Sequence, residues 1–487
     1  MLGRRFASLF VAAASLLACT STDEASKAKP KTDEPPTPVV EAPDAGHVDA
    51  AADAGEGTLS IQDVAVFQTV RASLMQPGRV RTPLIADKTA MLRAYLMPTG
   101  NLDGRAVRVE FRVADAGGAH TYAADAIARA ADDLHPEGLA SVILPAAVVT
   151  ATSSLAVDVR DGSSGALLSS WPGGGKFHPL SATGAQGKLR LSLVPVQYDA
   201  DSSHRLPDTS AATLALYKDT LLREYPVSEV DLTVHEPLVF AGAVTPRGGG
   251  WDELLGQITA LRGNDRVDAD VYYMGLVSPR DTQAQFCAGG CTLGLSGLSD
   301  DPTDPTQRAS LALGYGGVEG TNTIVHELGH AHGRYHAPCG NAGGPDSAFP
   351  YADGGIGVWG YDNQLAILYP PQKGKDMMGY CDPAWISDYT YAGIHDRMVK
   401  SRATRTTMLS AGNVKVDVLA VAEDGSFVRS GSMSVARTLL EARAEGLGED
   451  GRVTLRPRVK SYALSHGTGK LVLVQPLPAS IKRLHLE

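Results

Sequence analysis

The run His326-Glu327-Leu328-Gly329-His330-Ala331-His332-Gly333-Arg334-Tyr335-His336 holds the residues of this chain best suited to chemistry. His326 and His330 are four apart, so on a helix they project from one face, one turn from each other, where two imidazoles can bind one zinc ion. Apolar residues before them suit a buried helix, and Thr321 or Asn322 can cap its start. Gly333 can take the left-handed conformation that ends a helix. The chain then turns back, and His336 supplies a third nitrogen. Three protein ligands leave the fourth tetrahedral position to water, the arrangement of a catalytic zinc. Glu327 is poorly placed to ligate, but its carboxylate can reach a zinc-bound water, whose pKa falls to about 7. It can take a proton during attack on a carbonyl and return it to the leaving amine. A helix carrying surface histidines would reproduce part of this pattern, but it has no use for Gly333 and His336 at these spacings. His332 points to another face of the helix and reads as a packing or hydrogen-bonding residue.

The elements that must position this helix follow from periodicity. Lys188 to Tyr198 alternates as a strand. Thr209 to Tyr225 carries leucines at helical spacing, with Asp208 as candidate N-cap. Val230 to Val234 reads as a second strand, Trp251 to Arg262 as a second helix, and Val267 to Leu276 as a third strand. Alternating strands and helices predict a layered α/β or α+β domain. Upstream, short apolar segments such as Val107 to Val113 are separated by turns at Asp103-Gly104, Ala116-Gly117-Gly118 and Asp161-Gly162, which reads as a β-sandwich of immunoglobulin-like kind. Downstream, strands such as Val414 to Val418 and Leu471 to Val474 read as a second, smaller β-sandwich.

Asp376-Met377-Met378-Gly379-Tyr380 lies beyond the histidines. Together the two stretches resemble the metzincin metallopeptidases, which carry H-E-x-x-H-x-x-G-x-x-H and a Met-turn. The resemblance spans roughly residues 188 to 400. It implies a zinc endopeptidase with His326, His330 and His336 as metal ligands. It makes Met378 an apolar floor under the zinc and Glu327 and Tyr380 the catalytic side chains. Tyr380, placed as in astacin-like and serralysin-like members, would be a metal-proximal phenol that swings to stabilise the transition state. Ala337 follows the third histidine where better-known subfamilies each have a characteristic residue, so no close subfamily is assigned. Secreted bacterial peptidases directed at mucins are candidate kin. The resemblance also implies that extended substrate pairs with an edge strand above the zinc. Thr292 to Leu298 or Ser310 to Tyr315 is that strand or an ordinary interior one.

At the N-terminus, Arg4 and Arg5 precede the uncharged apolar run Phe6 to Leu17, a signal-peptide pattern too short to span a bilayer. Leu16-Leu17-Ala18-Cys19 resembles a bacterial lipoprotein signal, which implies lipidation of Cys19 and a membrane partner through that anchor. Thr20 stands where an inner-membrane retention signal places Asp, so the resemblance implies the outer membrane or cell surface; an ordinary cleaved signal would give a secreted protein. Residues 20 to 57 lack Phe, Trp and Tyr and are rich in Pro, Ala and charge, which suits a disordered tether. Setting Cys19 aside leaves Cys287, Cys291, Cys339 and Cys381, an even set that fits two disulfides in an exported protein. Cys339 with Cys381 would tie the third-ligand loop to the Met-turn, and Cys287 with Cys291 would close a small loop; a second zinc site is the rival reading of the latter pair. No upstream cysteine is left for a cysteine-switch form of latency. Asp300-Asp301-Pro302-Thr303-Asp304-Pro305 reads as a solvated turn, with calcium as the alternative.

The net charge of −10 is spread along all 487 residues without a basic run, which excludes nucleic acid as the evident partner. The expected fold is multidomain: an α+β metzincin-like catalytic domain (186–405) flanked by β-sandwich domains (58–185 and 406–487), preceded by a signal peptide (1–18) and a lipid-anchor linker (19–57). The expected activity is hydrolysis of peptide bonds in extracellular proteins or glycoproteins by zinc-activated water. A zinc hydrolase of peptidoglycan or other amide bonds, and a non-catalytic surface adhesin on a peptidase scaffold, are the alternatives; Glu327 speaks against the last.

Overall fold

Period-two burial along Lys188–Tyr198 organises the centre of the molecule. Leu189, Leu191 and Leu193 enter one apolar core and Val194, Val196 and Tyr198 another, so this strand is covered on both faces. It pairs in parallel with Glu229–Val234 and with Val271–Val277, and the latter pairs in parallel with Ala309–Leu313. Gly294–Leu298 runs antiparallel beside Ala309–Leu313. The computed structural model describes residues 57–486 except 77, 137–138, 185–186, 404–411 and 468. The signal peptide, Cys19 and all of the linker but Gly57 lie outside the described residues.

Five helices lie among the described residues: α1 (Ala211–Glu224), α2 (Trp251–Asp265), α3 (Gln283–Phe286), α4 (Gly317–Ala331) and α5 (Asp388–Ala403). Tyr217 and Leu221 of α1, Ile324, Val325 and Leu328 of α4, and Tyr391 and Ile394 of α5 share one core with Leu189, Leu191 and Leu193. The opposite face of the sheet is covered by Trp251, Leu254, Leu255 and Ile258 of α2. The expected cap of α1, Asp208, is displaced by Ser210, whose Oγ accepts the Thr213 N–H. Asp208 instead accepts the Ser210 N–H and the Thr213 hydroxyl, so it braces the cap from two residues outside.

Two antiparallel sheets precede this layer. One orders Arg71–Ser73, Leu59–Phe67, Ala90–Pro98 and Ala140–Leu144; the other is built on Gly118–Ile127, Ala106–Asp115, Ser154–Asp161 and Leu167–Trp171. Val64, Leu92, Phe111 and Val157 fill the core they share. Hydrogen bonds tie them to the α/β layer. Buried Lys88 donates to Leu222 O at 2.8 Å and Tyr225 O at 2.7 Å, the C-terminal carbonyls of α1. Trp385 Nε1 donates to Thr69 O at 2.9 Å.

The C-terminal strands do not stand apart from the central sheet. Asn413–Val421, Phe427–Ala436, Arg458–Leu464 and Lys470–Val474 form an antiparallel set. Arg458–Leu464 also pairs with Gly294–Leu298, through Gly297 with Leu464 and Leu298 with Ala463. The boundary expected at 405 is therefore bridged by main-chain pairing. The physical reason is shared cover: Val416, Val418, Leu471 and Leu473 bury against the same core as α2, while the other face closes on Ala444, Ile481 and Leu484. The whole is multidomain and mostly β, with few helices.

Candidate active site

Helix α4 starts a turn earlier than Thr321 or Asn322. Its first residue is Gly317, and Thr321 lies inside it with its hydroxyl donating to Gly317 O at 2.6 Å. The turn Gly314-Tyr315-Gly316-Gly317, with positive φ at Gly316 and Gly317, makes the earlier entry sterically open. The other end agrees with the sequence. His332 is the last capping residue and Gly333 has φ 76°, with its N–H donating to His330 O at 2.8 Å and the Arg334 N–H to Gly329 O at 3.1 Å.

That turn brings His336 back to the helix. His330 Nε2 lies 3.1 Å from His326 Nε2 and 3.2 Å from His336 Nε2. The outer nitrogens decide what these contacts mean. His326 Nδ1 donates to Met377 O at 2.8 Å, His330 Nδ1 to Arg334 O at 2.6 Å and His336 Nδ1 to Gly343 O at 2.5 Å. A carbonyl can only accept, so each ring carries its proton on Nδ1 and turns an Nε2 lone pair inward. Three lone pairs converging in this way can hold a cation. Nitrogens about 2.0–2.1 Å from a tetrahedral zinc lie roughly 3.3 Å apart, close to the separations seen. Burial pushes all three imidazoles below the ordinary histidine range, His336 to about 4, which keeps them neutral as ligands must be. The cluster can hold a metal ion.

Glu327 is buried beside it. Its Oε2 lies 2.9 Å from Ser296 Oγ, and its Oε1 accepts His466 Nε2 at 3.2 Å. Burial alone would raise this carboxyl, but the His466 hydrogen bond and charge, with His326 and Ser296, hold it below the usual glutamate value. The Tyr380 hydroxyl sits 3.1 Å from His336 Nε2 and 3.0 Å from His466 Nδ1, and burial and the Glu327 charge push it up to about 12. Met378 is fully buried beneath α4. A Cβ at Gly329 would stand 2.4 Å from its sulfur, so only glycine between the two histidines lets the turn approach this closely. Asp376 fixes that turn by accepting the Met378 N–H at 2.8 Å and the Ser387 N–H at 2.9 Å.

His466 was invisible to sequence reasoning. It comes from the C-terminal segment, 139 residues beyond Glu327, and one of its ring nitrogens lies within 4.8 Å of a nitrogen of each of His326, His330 and His336. Because Glu327 can only accept, His466 Nε2 carries a proton and is not a ligand through that atom. His332, by contrast, is packed: its Nδ1 donates to Leu328 O at 2.7 Å and its ring stacks on Tyr272. The cysteines pair as Cys339–Cys381 and Cys287–Cys291. In the Asp300–Pro305 turn, Asp301 and Asp304 accept from Thr303 and Thr306, and Asp304 also from the Tyr462 hydroxyl at 2.6 Å. A cleft of about 800 Å³ opens beside Glu327, lined by Thr292, Gly294, Val318, Asn322, Asp382 and His466 among others.

Residues 309–381 match the family model described as Peptidase M66, a metallopeptidase family. The match takes in α4, the three histidines and Met377 to Tyr380 and leaves His466 outside. No curated protein matches the chain. Family match and histidine cluster together point to a metallopeptidase. Two disulfides point to an extracellular or exported protein. No helix among the described residues is long and apolar enough to cross a membrane.

Proposed function

We propose that the protein is an exported zinc peptidase that hydrolyses peptide bonds of extracellular proteins or glycoproteins, with Glu327 as general base. The observation that carries this reading is the convergence of three Nε2 lone pairs whose tautomers are locked by Met377, Arg334 and Gly343 carbonyls. The Met378–Gly329 contact and the antiparallel strand Gly294–Leu298 support a metzincin-like α+β arrangement. A lipid at Cys19, with residues 20 to 57 as tether, would hold it at the outer membrane or cell surface.

His326, His330 and His336 would hold the zinc. When bound, the ion supplies Lewis acidity, lowering the pKa of water and polarising a carbonyl. Glu327 takes the proton from water as its oxygen bonds to the carbonyl carbon, then delivers it to the nitrogen as the C–N bond breaks. Ser296 and His466 aim the carboxylate from two sides. Tyr380, kept protonated, donates to the developing oxyanion.

The test compares wild type with Glu327→Ala. Metal content is measured by mass spectrometry, and new N-termini are counted after incubation with a panel of secreted proteins and glycoproteins. Wild type and variant should both hold one zinc, and only wild type should generate termini, in a chelator-sensitive way. Equal yields of termini from the two proteins would defeat the reading.

A further inference from the structure

Two arginines lie buried behind the end of α4, Arg308 at 0% and Arg397 at 6% exposure. They meet at Pro302. Arg308 Nη2 donates to Pro302 O at 2.9 Å, and Ser401 Oγ, one turn beyond Arg397 on α5, donates to the same oxygen at 3.0 Å. The Arg308 guanidinium lies 5.8 Å from the ring centre of Tyr272, and that ring stacks on His332 at 4.2 Å. Arg397 backs onto Gly333, where a Cβ would stand 3.2 Å from its Nη1. The pair therefore sits against the turn that returns His336 to the helix.

A buried guanidinium is tolerated when its N–H groups are bonded and its charge is matched. Neither condition is met here. Arg308 Nε and Nη1, Arg397 Nε and the Tyr272 hydroxyl are buried without a hydrogen-bond partner among the described residues. No carboxylate oxygen among those residues comes within 4.0 Å of either guanidinium. The acids whose charge reaches Arg397 are engaged elsewhere. Asp304 accepts the Thr306 N–H at 2.9 Å and the hydroxyls of Thr306 and Tyr462 at 2.6 Å each, and Asp301 accepts the Thr303 N–H at 2.8 Å. A third buried cation, Arg262, is held by carbonyls, with Nε donating to Val271 O at 2.9 Å. Burial lowers Arg262 to about 10 and Arg397 below the ordinary arginine range, and repulsion from Arg308 adds to the fall in each. Three cations thus share the region with two carboxylates. Internal water satisfies N–H groups but does not cancel the surplus charge.

We infer that the protein holds one small monovalent anion, of the size of chloride, between Arg308 and Arg397. Its donors are Nε–H and Nη1–H of Arg308 and Nε–H of Arg397, the groups left unbonded by the protein. One negative charge matches the surplus, whereas a sulfate or phosphate dianion exceeds it and costs more to desolvate. None of these residues lines the cleft beside Glu327, so the site is separate from the one described above and does not depend on the peptidase reading. The anion is an internal counter-ion that braces the Gly333 turn from behind.

The experiment melts the full chain at fixed ionic strength in mixtures of sodium chloride and sodium gluconate, whose anion is too large for a buried site. The melting temperature should rise saturably with chloride, by about 3 °C at a hundredfold excess over Kd. Crystals grown in bromide should show one anomalous peak between the two guanidiniums. Arg397→Met removes the surplus charge and should abolish the chloride response, while Arg443→Met, at an exposed position, should keep it. Equal melting of wild type in the two salts, a response retained by Arg397→Met, or the absence of the bromide peak overturns the inference. If Arg397→Met does not fold, the bromide peak in wild type decides.

Discussion

Replacing Cys339 and Cys381 by alanine tests how His336, the third ligand of the proposed zinc site, is held. The two cysteines are 42 residues apart in sequence, against 4 for Cys287 and Cys291. Loop entropy then assigns about 4 kcal/mol to the long crosslink and about 2 kcal/mol to the short one at 25 °C. With an unfolding entropy near 2.1 cal/mol/K per residue over roughly 400 residues, these become losses of about 4–5 °C and about 2 °C in melting temperature. The long crosslink has a second consequence. Cys339 lies three residues past His336, Ala337 N–H donates to Met378 O at 3.0 Å, and Tyr380 N–H donates to Cys339 O at 3.1 Å. The His336 loop and the Met377–Tyr380 turn thus form one tied unit, and untying it should weaken binding of the proposed zinc by roughly 10–100-fold, as loss of ligand support does elsewhere. Calorimetry without reductant, with and without zinc, reads the first effect, and competition against a chelating dye reads the second. The reasoning fails if Cys287→Ala/Cys291→Ala costs as much stability as Cys339→Ala/Cys381→Ala, or if the latter keeps wild-type zinc affinity.

Burial pushes the Asp388 carboxyl up to about 6, against a hydrogen bond from Tyr351 at 2.7 Å, with the Asp376 charge adding to the rise. A raised acid stabilises the fold below its unfolded pKa near 4, and that contribution is lost as pH rises through about 6. Urea unfolding at pH 4 and pH 7 should therefore show wild type losing up to about 3 kcal/mol relative to Asp388→Asn over that interval; parallel pH profiles would exclude it. Gly329→Ala would set a Cβ 2.4 Å from the Met378 sulfur, so it should cost about 1–3 kcal/mol and be partly rescued by Met378→Ala in a double-mutant cycle. Lys88→Met strips two carbonyls at the end of α1 of their donor, at about 1–3 kcal/mol each, and should speed proteolytic release of the N-terminal sheets; unchanged digestion would show that the contact does not hold them.

Local spacing carried much of the fold. Lys188–Tyr198 is a strand at its expected bounds, and the leucines of Ala211–Glu224 mark a helix. Ends were less legible, because Ser210 and Asp208 are both able caps and the glycines before α4 let it begin at Gly317. The C-terminal strands were readable as strands, but their period-two pattern does not say which sheet they join.

The sequence by itself determined which three histidines meet in a cluster that can hold a metal ion. Four-residue spacing puts His326 and His330 on one face of a helix, a glycine at 333 allows the reversal that returns His336, and Glu327 follows from its place beside the first histidine. These are properties of one turn of chain and need no partner. Only the tertiary structure decided how the site is bounded. His466 sits in a C-terminal turn with no motif around it, and it reaches Glu327 because Leu464 and Ala463 pair with Gly297 and Leu298. Such pairing depends on which strand edges are left open and which apolar faces share a cover, and these are facts about the assembled sheet that no window of sequence contains.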